Sequence, residues 1–241
     1  MRYGIISDIH GNLEALQTVL QSCHRQNVQN ILCIGDIVGY GASPGECIAA
    51  LKEAEAICVA GNHDWAVAAR LDASYFSSDG KEAINWTRSK ISIEDITLLS
   101  MLNLVCTSDE VMMVHSSPFQ PEAFTYLTDV AKATKAFSAL SHPVCFIGHT
   151  HVPRIFAKRD NNIVNTKTFE FEVHPDYQYI VNVGSVGQPR DGNPMASYGI
   201  YDSETQMIEL KRVQYDIQTA QKKIVNAGLP EILAQRLMHG R

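Results

Sequence analysis

Short apolar runs bounded by glycine and polar positions alternate along this chain with stretches in which apolar residues recur every three or four positions. The first pattern marks buried strands, and the second marks helices with one face in a core. Arg2 to Ser7 read as a first strand, and Leu13, Leu16, Val19 and Leu20 as the buried face of the helix after it. Asn30 to Ile34 and Ala56 to Ala60 read as the next two strands. Between them, Ser43-Pro44-Gly45-Glu46 has the form of a helix start: a Ser cap, Pro at the first helical position and an acid three residues after the cap. That helix would turn Cys47, Ile48 and Leu51 inward. A mainly helical insertion is expected at about 65–106, with Ser92 and Asp95 suggesting another cap. Glu110 to Val114 and Val144 to Ile147 read as short buried strands. After Val152 the pattern becomes strands joined by short turns, through Tyr179 to Val183, Ser197 to Tyr201 and Met207 to Val213. A helical pair over about 216–239, broken at Gly228 and Pro230, closes the chain. The rhythm is that of a layered α/β or α+β fold, and without repeat or linker a single domain over 1–241 is expected.

Composition and charge narrow the function. With 45% hydrophobic and 19% charged residues the chain can fill a sizeable core, which excludes long disorder. The net charge of −6 counts against long nucleic acid and against an anionic membrane surface as partner. The N-terminus reaches Asp8 and His10 without the apolar core of a signal peptide, and no apolar run approaches the roughly 18 to 20 residues of a membrane span. A cytoplasmic protein is expected. The six cysteines form no C-x-x-C pair and sit among apolar neighbours, so buried reduced thiols are expected. Nine histidines make their placement the central question.

That placement is systematic. The first strand runs into Asp8-Ile9-His10-Gly11-Asn12, the second into Gly35-Asp36 and the third into Gly61-Asn62-His63-Asp64. The next two end in Val114-His115 and Gly148-His149-Thr150-His151. Ligands of open α/β sheets collect at the carboxyl ends of strands, so five such ends place a polar cluster at one sheet edge. Carboxylates, an amide and neutral imidazoles form a mixed oxygen and nitrogen set that suits Mn, Fe, Zn, Ni or Co better than Mg or Ca. Seven such groups are too many for one ion. They fit two divalent ions about 3.5–4 Å apart, bridged by a carboxylate and a hydroxide, the arrangement that clamps the attacking oxygen in phosphoryl displacement.

In order, these motifs resemble those of the calcineurin-like metallophosphoesterase superfamily. The run from Asn182 to Gly192 and the ending around Gly228-Leu229-Pro230 are similar to a branch of small bacterial and archaeal phosphodiesterases. The resemblance implies a four-layer α/β/β/α sandwich of two mixed sheets flanked by helices. It implies Asp8, His10, Asp36 and His151 as ligands of one ion and Asp36, Asn62, His115 and His149 as ligands of the other, with Mn foremost. His63 would be left unligated, free to protonate the departing alkoxide. Asp64 would either orient His63 or cap the next helix, and Arg190 could clamp the phosphate, because guanidinium matches its oxygens bidentately. Asn12 could reach the phosphate or only hold its turn.

Phosphoprotein phosphatases of this superfamily continue the second motif with an Asp and an Arg, where this chain has Gly39 and Tyr40, so a phosphoprotein substrate is disfavoured. Gly41-Ala42-Ser43-Pro44-Gly45 matches G-x-S-x-G, but no strand runs into its Ser, and a nucleophile elbow needs one. The expected function is metal-dependent hydrolysis of a small phosphomonoester or phosphodiester, a nucleotide among the candidates, by attack of a hydroxide bridging two metals. The alternatives are a dinucleoside polyphosphate hydrolase and a non-catalytic interaction scaffold on the same fold, against which the retention of His63 argues.

Overall fold

The structure is a computed structural model that describes residues 1–108 and 111–241. Its first part runs β1 (Arg2–Ile6), α1 (Leu13–Arg25), β2 (Asn30–Cys33), α2 (Pro44–Glu53) and β3 (Ile57–Cys58). A helical stretch follows: α3 (Asn62–Val67), a 3-10 turn at Ala73–Tyr75, α4 (Ser78–Lys90) and α5 (Ile93–Met101). Then come β4 (Val105–Thr107), β5 (Val111–Val114), a 3-10 turn at Pro121–Ala123, α6 (Val130–Ser138) and β6 (Val144–Ile147). The strand-rich part contains β7 (Arg154–Arg159), β8 (Asn162–Thr166), β9 (Glu170–Glu172), β10 (Gln178–Asn182), β11 (Ala196–Asp202) and β12 (Met207–Val213). The chain closes with α7 (Ile217–Asn226) and α8 (Glu231–His239).

Among the described residues twelve strands make two mixed six-stranded sheets, ordered β3-β2-β1-β11-β12-β9 and β4-β5-β6-β10-β7-β8. Alternation along each strand builds the layers, because successive side chains point to opposite faces. In β1, Ile5 packs between the sheets with Leu32, Met113, Phe146 and Val181. Its neighbour Ile6 faces the opposite way, toward Leu16 and Val19 of α1 and Ile48 and Leu51 of α2. In the second sheet Met113 points inward, while Met112 and Val114 meet Ala133, Ala136 and Phe137 of α6. The result is the four-layer sandwich of two mixed sheets flanked by helices. Phe146 is fully buried between the sheets, and truncating such a side chain to Ala costs about 3–5 kcal/mol.

Strands β1, β2 and β3 are mutually parallel, as are β5, β6 and β10. Each trio delivers its carboxyl ends to one edge of its sheet, and the cross-links join those edges: His115 Nδ1, after β5, donates to Ile34 O, after β2, at 2.7 Å.

Several boundaries differ from expectation. The third strand keeps only Ile57–Cys58, because its continuation toward Ala60 leaves the ladder to reach the site. Cys106, expected at the end of a helical block, lies in β4, which pairs with β5 as a short antiparallel edge. Glu110 of the expected fourth strand lies outside the described residues. Ser92 caps α5, its Oγ accepting from Asp95 N at 3.0 Å. Ser43 occupies the cap position of α2, yet its side chain makes no capping bond. No helix among the described residues is long and apolar enough to cross a membrane.

Candidate metal centre

All five loops singled out from the sequence converge at the joined sheet edges. The backbone there is contorted: Asp8, His10, Asp36, His149 and His151 have φ between +50° and +67°. The left-handed region is costly for L-residues, and such strain persists only where the surroundings hold it. Here neighbouring loops supply the restraint: Asp8 N donates to Gly35 O at 3.0 Å and His10 N to Asp36 O at 2.9 Å. His149 N donates to the Asp8 carboxylate at 3.0 Å, and His63 N to Asp36 Oδ1 at 2.8 Å.

The donor atoms form two adjoining sets. Asp8, His10, Asp36 and His151 each offer one ligand atom, all within 4.8 Å of one another, and Asp36, His115 and His149 do the same. Asp36 belongs to both sets, and all six side chains are buried. Its Oδ2 lies 3.6 Å from His10 Nε2 and 3.2 Å from His115 Nε2, and Asp8 Oδ1 lies 3.4 Å from His151 Nε2. Asn62 Oδ1 is buried with no hydrogen-bond partner among the described residues.

The imidazole tautomers test whether these residues suit a cation. Nδ1 of His10, His115 and His151 faces the carbonyl of Val38, Ile34 and Gln188 at 3.2, 2.7 and 2.6 Å. Carbonyls only accept, so in each neutral ring the proton sits on Nδ1 and Nε2 presents a lone pair. Metal-ligating histidines are held this way. His10 Nε2 and His151 Nε2 then face each other at 3.1 Å, lone pair toward lone pair, a repulsive contact that a cation between them turns attractive. The donor set fits divalent metal.

Titration is shifted accordingly. Burial pushes the Asp8 carboxyl up to about 7, with the charge of Asp36 adding to the rise and His115 opposing it. Burial alone would lower His115, but the Asp36 carboxylate and then Asp8 raise it to about 9. Asp36 is held well below the usual carboxylate range despite its burial, because His115 and His63 surround it. His10 and His151 are pushed well below the ordinary imidazole value by burial, and His149 falls to about 3 for the same reason. These rings are neutral at pH 7, as ligation requires.

The remaining candidates separate. The His63 ring is boxed by Tyr40, His10 and Phe76 at centroid distances of 4.4, 4.7 and 4.8 Å. Its Nδ1 has no partner among the described residues. Burial, against the pull of Asp36, lowers this ring to about 4, so it is neutral at pH 7 rather than poised to titrate there. Asp64 makes no hydrogen bond to His63. Its Oδ1 accepts from Ile37 N and Val38 N at 2.9 and 3.2 Å, and its Oδ2 from Gly61 N at 2.9 Å. It therefore caps α3 and ties the second loop to the third. Asn12 likewise holds its turn, with Oδ1 accepting from Ala15 N and Nδ2 donating to Gly187 O. Arg190 stays near the centre: its Nη2 donates to Gln188 Oε1 at 2.9 Å, and its guanidinium lies 5.8 Å from the Tyr40 ring.

A cavity of about 670 Å³ opens onto the centre, with Asn62, His63 and His149 among its lining residues. Its walls include Tyr40, Phe76, Phe124, Tyr126 and Arg190. Tyr126 stacks on His149 with centroids 4.0 Å apart. Sequence reading missed Tyr40, Phe124 and Tyr126, and for Tyr40 a signal existed: it follows Gly39 in the loop after β2, within reach of Asp36.

Comparison with known proteins places this arrangement. An uncharacterized protein of Methanocaldococcus jannaschii is 39% identical over 242 residues, 98% of this chain and 97% of that protein. The crystal structure of a metallophosphoesterase from Sphaerobacter thermophilus is 38% identical and covers 100% of this chain and 99% of its own, with a TM-score of 0.87. A hypothetical protein from Pyrococcus horikoshii shares the fold at 19% identity and a TM-score of 0.80, covering 100% of this chain and 98% of its own. The profile of the calcineurin-like phosphoesterase superfamily domain matches residues 1–206, and this chain belongs to that superfamily.

Proposed function

We propose that the protein hydrolyses small phosphomonoesters or phosphodiesters at this centre, with residues 1–241 acting as a single metallophosphoesterase domain and Mn foremost among the metals. The observation that carries the reading is the shared carboxylate Asp36 between two buried sets of donors. Asp8, His10, Asp36 and His151 would hold one divalent ion, and Asp36, Asn62, His115 and His149 the other. When bound, such a pair supplies a water of lowered pKa as nucleophile and neutralises charge on the phosphate.

The chain's own residues would do the rest. The carbonyls of Val38, Ile34 and Gln188 hold the Nδ1 protons of His10, His115 and His151, so each ring turns its Nε2 to the centre, and His115 has only its Nε2 proton to lose before it ligates. Arg190, half-buried beside the Tyr40 ring, pairs with the phosphate oxygens. His63 stands over the same cavity and hands a proton to the leaving oxygen. Burial lowers this ring to about 4 in the metal-free protein, and an anionic phosphate beside it opposes that shift. Aromatic side chains line the cleft, and its volume of about 670 Å³ suits a small molecule rather than a protein loop.

The test is hydrolysis of aryl phosphate esters by the Mn-reconstituted protein and by Asp36→Asn, which removes the shared charge. The wild type should turn over and the variant should lose at least a hundredfold. Equal rates would overturn the reading.

A further inference from the structure

We propose that Arg236, on the C-terminal helix α8, binds a second phosphate of the substrate, so that the cleft selects esters carrying an aromatic group and at least two phosphates, the chemistry of a nucleoside diphosphate. The inference rests on the phosphoester reading above and extends it beyond the scissile group.

Arg236 lines the same cavity as His63, Asn62 and Arg190. Helix α8 brings it there by burying Leu233, Ala234 and Leu237 against Ala220, Ile224 and Ala83. This helix lies beyond residue 206, where the match to the superfamily profile ends. Several other arginines are spoken for: Arg70, Arg88 and Arg154 donate to backbone carbonyls, and three more pair with acids. Arg2 pairs with Asp202 and Glu209, Arg159 with Asp176, and Arg212 with Asp191, the residue directly after Arg190. Among the described residues neither Arg190 nor Arg236 forms an ion pair with a carboxylate. Two half-buried guanidinium groups facing one cavity without an acid partner are suited to anion recognition, and two of them suit two phosphates. Glu122 is the one carboxylate in the lining, and it is exposed at the rim.

The aromatic requirement has separate support. Tyr75, on the 3-10 turn between α3 and α4, is 82% exposed, and Tyr126 is 48% exposed, yet both line the cavity. Exposed rings at the mouth of a polar cleft offer faces on which a nucleobase can stack.

Calorimetry on Mn-loaded protein with AMP and with methylene-bridged ADP tests this. The wild type should bind the bridged diphosphate at least tenfold more tightly than AMP. Arg236→Gln should weaken the diphosphate ten- to a hundredfold and AMP less than threefold, and Arg236→Lys should recover part of the loss. Pyrophosphate, which lacks the ring system, should bind at least tenfold more weakly than the bridged diphosphate. Equal wild-type affinity for AMP and the diphosphate, or equal losses on both in Arg236→Gln, overturns the proposal. So does pyrophosphate binding as tightly as the bridged diphosphate. Thermal melts of both variants show whether a uniform loss is a folding defect; where Arg236→Gln melts low, Arg236→Lys decides by the same ratio. A wild type that discriminates between these ligands but hydrolyses no ester would sink the phosphoesterase reading and leave this subsite standing. Hydrolysis of aryl phosphates without discrimination would do the reverse.

Discussion

Two glycines allow the positioning of His63 to be separated from backbone cost. Gly39 and Gly192 both hold positive φ, at +91° and +82°. Alanine there costs about 1–2 kcal/mol for the left-handed backbone alone. At Gly192 an added Cβ meets nothing within 4 Å, so that is the whole effect. At about 2–4 °C per kcal/mol for a chain of this size, Gly192→Ala should lower Tm by about 2–8 °C. At Gly39 the same carbon would lie 2.5 Å from His63 Nδ1 and 3.1 Å from its Cγ, well inside the usual contact distance of about 3.5–4.0 Å. The ring must move by roughly 1 Å, although Tyr40, His10 and Phe76 enclose it. Overpacking of this kind adds about 1–3 kcal/mol, giving a total Tm loss of about 4–20 °C for Gly39→Ala. A reacting group displaced by about 1 Å costs on the order of a hundredfold in rate. Thermal melts by circular dichroism and aryl phosphate turnover on both variants check the two halves. Matching melts together with matching kcat would refute both the packing of His63 against Gly39 and its place in the reaction.

Metal uptake should release protons. In the metal-free protein Asp8 titrates near 7 and His115 near 9, and both must be deprotonated to ligate. Affinity should therefore rise with pH, by about one proton's slope between pH 7 and 9 and about two below 7, and level off above 9; calorimetry in buffers of different ionisation enthalpy counts them, and a flat profile contradicts the ligand roles. Asp64→Asn replaces a carboxylate that accepts from three backbone amides with a group that can accept on one oxygen only. At pH 8 it should cost about 2–4 kcal/mol in urea unfolding, and a loss below about 1 kcal/mol would show that the bonds are dispensable. Ser92→Ala should cost about 1 kcal/mol and Ser43→Ala less than about 0.5 kcal/mol, because only Ser92 makes a capping bond; equal losses would contradict the difference between these helix starts.

The candidate centre was legible because its signal is local. Each apolar run and the Asp, Asn or His after it are contiguous, and strand ends of one sheet edge need no long-range knowledge to be grouped. What distance decides was not legible. The carboxylate of Asp64 is claimed by Ile37 and Val38, 26 or 27 residues earlier in the chain, and nothing in Gly61-Asn62-His63-Asp64 announces those partners. Strand β4 spans three residues, too few to show alternation against its helical surroundings. Tyr126 and Arg236 reach the cavity from a loop and a helix that carry no motif. The lowered titration of His63 comes from burial by Tyr40 and Phe76, which only packing reveals.

The place of β1 in its sheet has a consequence for biosynthesis. It lies between β2, which follows it closely, and β11, whose first residue is Ala196. At about 5–20 residues per second, roughly 10–40 s of translation separate Arg2 from its antiparallel partner. During that interval an N-terminal three-strand ribbon would carry an unpaired edge, and until residue 149 is reached Asp8 and Asp36 would stand together without His149 and His151. A nascent chain would therefore present two carboxylates and part of its imidazole set before the second sheet closes over them. Folding of this protein on the ribosome should be sensitive to pauses between β6 and β11, where a delay prolongs exposure of that edge.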